Sequence, residues 1–134
     1  MSKRTLNHTH DEHNTRIAAA RVPAEALAEC IALIRAGNFG GFPRSADTGP
    51  AMQVAARHGG DAVIAQAMHF RLVGLEMLMR ADPPLNLISR SLSPAVLGAI
   101  LSNLTITSDG STLSFDGDAL ASSIRVAAAP VGSA

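Results

Sequence analysis

His8, His10 and His13 run as H-x-H-x-x-H with Asp11 and Glu12 between them, a cluster of the ligand types that hold zinc, copper and nickel. The same residues lie in MSKRTLNHTHDEHN, residues 1–14, which carries almost no apolar side chain and cannot bury enough surface to order itself. A metal there would have to organise the backbone without a fixed outer shell of partners. The segment therefore reads as a disordered, solvated, His-rich arm, with metal binding as the lesser alternative, and no cofactor is expected. Cys30 is the single cysteine. It excludes an internal disulfide and every Cys-paired zinc motif, and its place among Ala28, Ile31, Leu33 and Ile34 marks a buried, inert thiol. A reducing cytoplasm is the default compartment.

The remaining candidates for catalysis dissolve one by one. His58 and His69 stand alone, and no Ser or Cys sits in a nucleophile motif. His58-Gly59-Gly60-Asp61 is a helix stop followed by a helix cap. Asp109, Asp116 and Asp118 are explained by turns and caps. The glycines of Gly37-Asn38-Phe39-Gly40-Gly41 lack the strong strand, the lysine and the helix that make a phosphate loop. No catalytic residue is assigned, and the chain is not expected to be an enzyme.

At 134 residues and 47% hydrophobic the chain can bury a respectable core as one domain. With four Phe, no Trp and no Tyr, that core must be aliphatic, which favours helices packed closely through small residues. Formal charge is zero, with +2 on residues 1–60 and −2 on the rest, so composition gives no general pull toward nucleic acid or a membrane surface. The N-terminus has no apolar run after Lys3 and Arg4, so no signal peptide is expected. Gln66, His69, Arg71 and Glu76 interrupt the most apolar window, Ala62 to Met79, and no membrane partner is expected.

The expected architecture is mainly α, with a short N-terminal strand and a C-terminal β-hairpin. Arg16 to Val22 is a candidate strand. Pro23 to Ala36 is a helix: Leu27, Ile31 and Ile34 share a face, Glu25 and Arg35 suit its two ends, and Gly37 closes it. Asn38 to Pro50 is a Gly- and Pro-rich loop, followed by a helix from Pro50 to Arg57. Asp61 caps a long helix to about Met79 or Arg80, Leu85 to Arg90 is a short helical turn, and Ser93-Pro94 starts a helix to Asn103. Leu104 to Phe115 alternates around Asp109-Gly110, which predicts a hairpin with a two-residue turn. A turn or short helix runs from Asp116 to about Val126. The domain is thus 15–126, with 127–134 a flexible tail.

The strand that runs into a helix at Arg21-Val22-Pro23 resembles the opening of the ribbon-helix-helix family of dimeric DNA-binding repressors and antitoxins, over about residues 15–57. The resemblance implies paired strands in the major groove, with Ile17, Ala19 and Arg21 outward and Ala18, Ala20 and Val22 inward. It also implies that Arg16 and Arg21 face DNA and that Arg44, Ser45 and Thr48 meet a phosphate where a second helix begins. Gly49-Pro50 and the long loop depart from the family pattern.

The segment from Asp61 to Ala81 can be divided into a helix-turn-helix, with Ala65 and Leu75 between the helices. His69 replaces the turn glycine, however, and the would-be recognition helix is too apolar for a groove, so one continuous helix is the better reading. Apolar nearly all round, that helix is either central or shared between subunits. Ile64, Met68, Leu72, Leu75 and Met79 are its candidate interaction stripe. Two functional readings result. The first is a non-catalytic, helical adaptor or assembly protein, a homodimer or higher oligomer that binds a protein partner. The alternative is a ribbon-helix-helix-like DNA-binding repressor or antitoxin.

Overall fold

The computed structural model describes residues 2–37 and 49–129, with side chains described from Asp11 onward. Seven helices and one two-stranded sheet follow in the order α1 Ser2–Ala19, α2 Ala24–Arg35, α3 Gly49–Arg57, α4 Ala62–Ala81, α5 Pro83–Arg90, α6 Pro94–Ser102, β1 Ile106–Ser108, β2 Leu113–Phe115 and α7 Gly117–Ala128.

The helices start and stop where side chains and prolines dictate. Asp61 accepts from the Ile64 amide to open α4, Asp82 from Leu85 to open α5, and Ser93 from Val96 to open α6. Pro83 and Pro94 occupy first positions, where the missing N–H costs nothing. Gly37 and Gly59, at φ +84° and +71°, end α2 and α3 in the left-handed region open to glycine. The core is aliphatic. Leu27 and Ile31 of α2, Val54 of α3, Met68, Leu72 and Leu75 of α4, and Leu97 and Leu101 of α6 are all fully buried. α2 and α6 approach backbone to backbone: a Cβ on Gly98 would stand 2.6 Å from the Ala24 carbonyl and 2.8 Å from the Ala28 amide. Only glycine permits that distance.

Several expectations need correction. Arg16 to Val22 is not a strand, because Arg16–Ala19 complete α1 and only the residues after it are extended. Alanines such as Ala18 and Ala19 are the best of helix formers, and the helix ends at Ala19, ahead of Val22, which Pro23 pushes out of the helical region. The boundary at Pro23 is right, but a helix precedes it. Ile17, expected outward, is buried at 5% exposure, while Val22 is buried as expected. The lone-strand argument for a two-fold partner disappears with the strand.

Residues 2–14, expected as a disordered arm, are helical as part of α1. Its later turns are docked: the Asn14 side-chain amide donates to the Gly110 carbonyl at 2.9 Å, and His13 Nε2 lies 2.6 Å from Gln66 Oε1. The hairpin pairs antiparallel as expected, with Ile106 opposite Phe115. Its loop, though, is the four residues Asp109 to Thr112, not Asp109-Gly110 alone. The Asp109 carboxylate gathers the Thr112 amide and hydroxyl, both at 2.8 Å, which holds the wider turn closed. α5 begins two residues before the expected turn, and α7 is a full helix that takes in Ala127 and Ala128 of the expected tail.

α4 is a single continuous helix. By length and composition alone it is long and apolar enough to cross a membrane, with a mean hydropathy of 1.3 over 18 residues, so its polar interruptions do not exclude a span as expected. Half of that window, however, is buried inside this fold.

Candidate functional site

Arg71 sits in the middle of α4, where its neighbours on the same face, Met68, Leu72 and Leu75, are core residues. It is 3% exposed. A buried charge needs partners, yet no carboxylate among the described residues bonds to this guanidinium. Its Nε donates to the Leu101 carbonyl at 2.9 Å, Nη1 to Ala67 at 3.0 Å and Nη2 to Leu104 at 3.3 Å. Two of these carbonyls lie at the C-terminal end of α6, the negative end of its dipole. Burial pulls the Arg71 pKa below the ordinary arginine value, but with carbonyl partners the group stays a cation.

A cavity of about 520 Å³ opens beside it, walled by the α1–α2 connection and by the segment that leads from α6 into β1. Arg71 and Arg21 both line it, together with the polar side chains Ser102, Asn103 and Thr105. Among the described residues, no acidic one does. The Ser102 hydroxyl donates to the Val22 carbonyl at 2.6 Å and so ties the two walls together. Arg21 is exposed and makes no hydrogen bond or ion pair among the described residues. It also lines a smaller cavity of about 170 Å³ with His58 on its far side.

A second charged cluster is self-contained. Glu29 of α2 receives Arg57 at Oε1 and His58 Nε2 at Oε2, the latter at 2.7 Å. His58 first and Arg57 second hold the Glu29 carboxyl below the usual range. A carboxylate-oriented imidazole can serve as a general base, but the neighbouring thiol cannot serve as its nucleophile: Cys30 is fully buried, points at the Pro50 carbonyl 3.8 Å away, and burial pushes its pKa up to about 12. The cluster joins α2 to the end of α3.

The sequence-derived candidates scatter. Arg16 is exposed on the last turn of α1, well away in sequence from any second DNA-facing element that is described. Arg44, Ser45 and Thr48 lie outside the described residues, as do the side chains of His8 and His10. His13 bonds to Gln66, and no group of three potential metal ligands occurs among the described residues. Met68, Leu72 and Leu75 are fully buried, Met79 nearly so and Ile64 partly, so the proposed interaction stripe packs against this chain's own core. Arg71 was visible in the sequence only as an interruption in an apolar helix. A lone arginine on a core face is the signal that marks it.

Large apolar side chains do reach the surface elsewhere. Met77 of α4 is 62% exposed, Leu87 of α5 71% and Val126 of α7 72%. All three lie within two helical turns of Asp82 or its partner Arg125, whose Nη2 bonds to Asp82 Oδ2 at 2.6 Å. Comparison with protein-family models, curated proteins and solved structures finds no match to this chain.

Proposed function

We propose that the protein works by binding, as a helical assembly or adaptor protein that associates with a second copy of itself through the corner where α4, α5 and α7 meet. The observation that carries this reading is the exposure of Met77, Leu87 and Val126 around the Asp82–Arg125 pair. Single exposed apolar residues are ordinary, whereas three on helices linked by the α4–α5 and α5–α7 packing and by the Asp82–Arg125 pair suit an interface with a polar rim. Zero formal charge removes long-range repulsion between copies. In the reducing cytoplasm to which this reading assigns the protein, Cys30 remains a buried thiol. The ribbon that DNA recognition would require is helical, so DNA is not part of the proposal.

Sedimentation velocity at tens of micromolar tests it. The wild-type chain should sediment as a dimer or larger species. Leu87→Glu, on a side chain already in solvent, should leave the helical signal intact and yield a monomer. A wild-type monomer, or a Leu87→Glu chain that remains dimeric, would overturn the proposal.

A further inference from the structure

We infer that the cavity between Arg21 and Arg71 is a binding site for a small organic anion that carries a carboxylate or phosphate group. This inference does not depend on self-association.

The charge balance is the first argument. A guanidinium has five N–H donors, and Arg71 directs one bond to each of three carbonyls. Those carbonyls supply partial negative charge but no counterion, so a full positive charge remains in a buried position beside the cavity. Leu104, whose carbonyl takes the Nη2 bond, lines the same cavity. Arg21 adds a second cation with no partner among the described residues. The contrast with Glu29 is informative: there, a carboxylate of the protein already neutralises Arg57.

Size and lining give the second argument. About 520 Å³ falls in the range of small-molecule sites. Ala18, Ala20, Val22 and Ile106 provide apolar wall for a ligand's body, while Asn103 and Thr105 line the cavity with amide and hydroxyl groups; the Ser102 hydroxyl is spent on the Val22 carbonyl. An oxyanion in a half-enclosed cavity lined by two arginines gains charge-assisted hydrogen bonds that water does not match. Neutral ligands gain nothing from the paired cations, and cations are repelled.

The test is a titration of the full chain with inorganic phosphate and, separately, with succinate, followed by amide chemical shifts against an equal ionic strength of sodium chloride. Saturable shifts at Ser102 to Ile106 are expected with one probe or both, and which probe binds more tightly separates a phosphate site from a carboxylate site. Arg21→Ala should fold normally, because the side chain is exposed, and should weaken binding about tenfold, the loss expected for one charge-assisted bond. Absence of shifts in this segment, or affinity unchanged in Arg21→Ala, would overturn the inference.

Discussion

α5 and α6 are two short helices built on the same plan, and they differ in what surrounds their ends. Each has a polar cap, a proline at its first position, and an arginine from another helix on its last carbonyls. For α5 the cap is Asp82, and Arg35 of α2 donates to the Ser89 and Leu92 carbonyls at 3.0 and 2.6 Å. For α6 the cap is Ser93, and Arg71 of α4 donates to the Leu101 and Leu104 carbonyls. Arg35 does this at the surface, where water spreads its charge. Arg71 does it in the core, at 3% exposure. Both arginines line a cavity, Arg35 one of about 390 Å³ and Arg71 one of about 520 Å³, so the two helix ends differ in the burial of the charge: the first is spread into water and the second is held in the core.

The comparison breaks most visibly at Arg71. Arg71→Ala would remove three hydrogen bonds and leave a void in the core, and the chain should lose about 3 kcal/mol of stability in urea unfolding. Arg71→Lys should restore only part of this, since one ammonium cannot span the three acceptors. A loss below about 1 kcal/mol would show that the α6 end is solvated and that Arg71 is not buried as described.

Gly98 sharpens the difference next. α6 is pressed against the α2 backbone there, so Gly98→Ala has to push the helices apart and should cost about 2 kcal/mol. α5 contains no glycine. Because α6 also carries the acceptors of Arg71, the amides of Ser102 to Ile106 should shift in the spectrum of this variant.

Arg35→Ala should cost less than either, about 1 kcal/mol in the same unfolding measurement, because water can replace an exposed donor. Equal losses at Arg35 and Arg71 would erase the distinction between the two helix ends.

Acid should separate the caps. The Leu85 amide first and Arg125 second hold the Asp82 carboxyl below its ordinary value of 3.8. Since the folded value lies under the unfolded one, the stabilisation is complete above 3.8 and is lost as pH falls toward the folded value. Thermal melts of the wild-type chain should therefore decline on the acid side, and Asp82→Asn should flatten part of that decline. Ser93→Ala, which removes a neutral cap, should lower the melting temperature equally at pH 3 and pH 7.

The parts of the fold legible from sequence are those governed by a few neighbouring residues. Pro23, Gly37, Asp61, Ser93 and the Leu27-Ile31-Ile34 repeat locate helix ends and faces within a residue or two, since caps, prolines and periodicity act over one or two turns. The hairpin pairing was equally local, although its loop was wider than Asp-Gly suggests. Arg16 to Val22 misled because a chain of alanines between two arginines fits a strand only if a partner strand exists. The helix already running from residue 2 decided the matter.

The candidate site shows the other limit. Arg21 and Arg71 are 50 positions apart; Arg21 drew notice only through Arg21-Val22-Pro23, and Arg71 has no motif around it. The sequence by itself determined a helix-rich chain with an aliphatic core, neutral overall, with one long apolar helix. Only the tertiary structure decided which face of that helix was spent internally, because burial depends on what packs against a face and not on its composition. The same holds for charge. Glu29 finds Arg57 while Arg71 finds only carbonyls, and that outcome is set by how α2, α3, α4 and α6 cross.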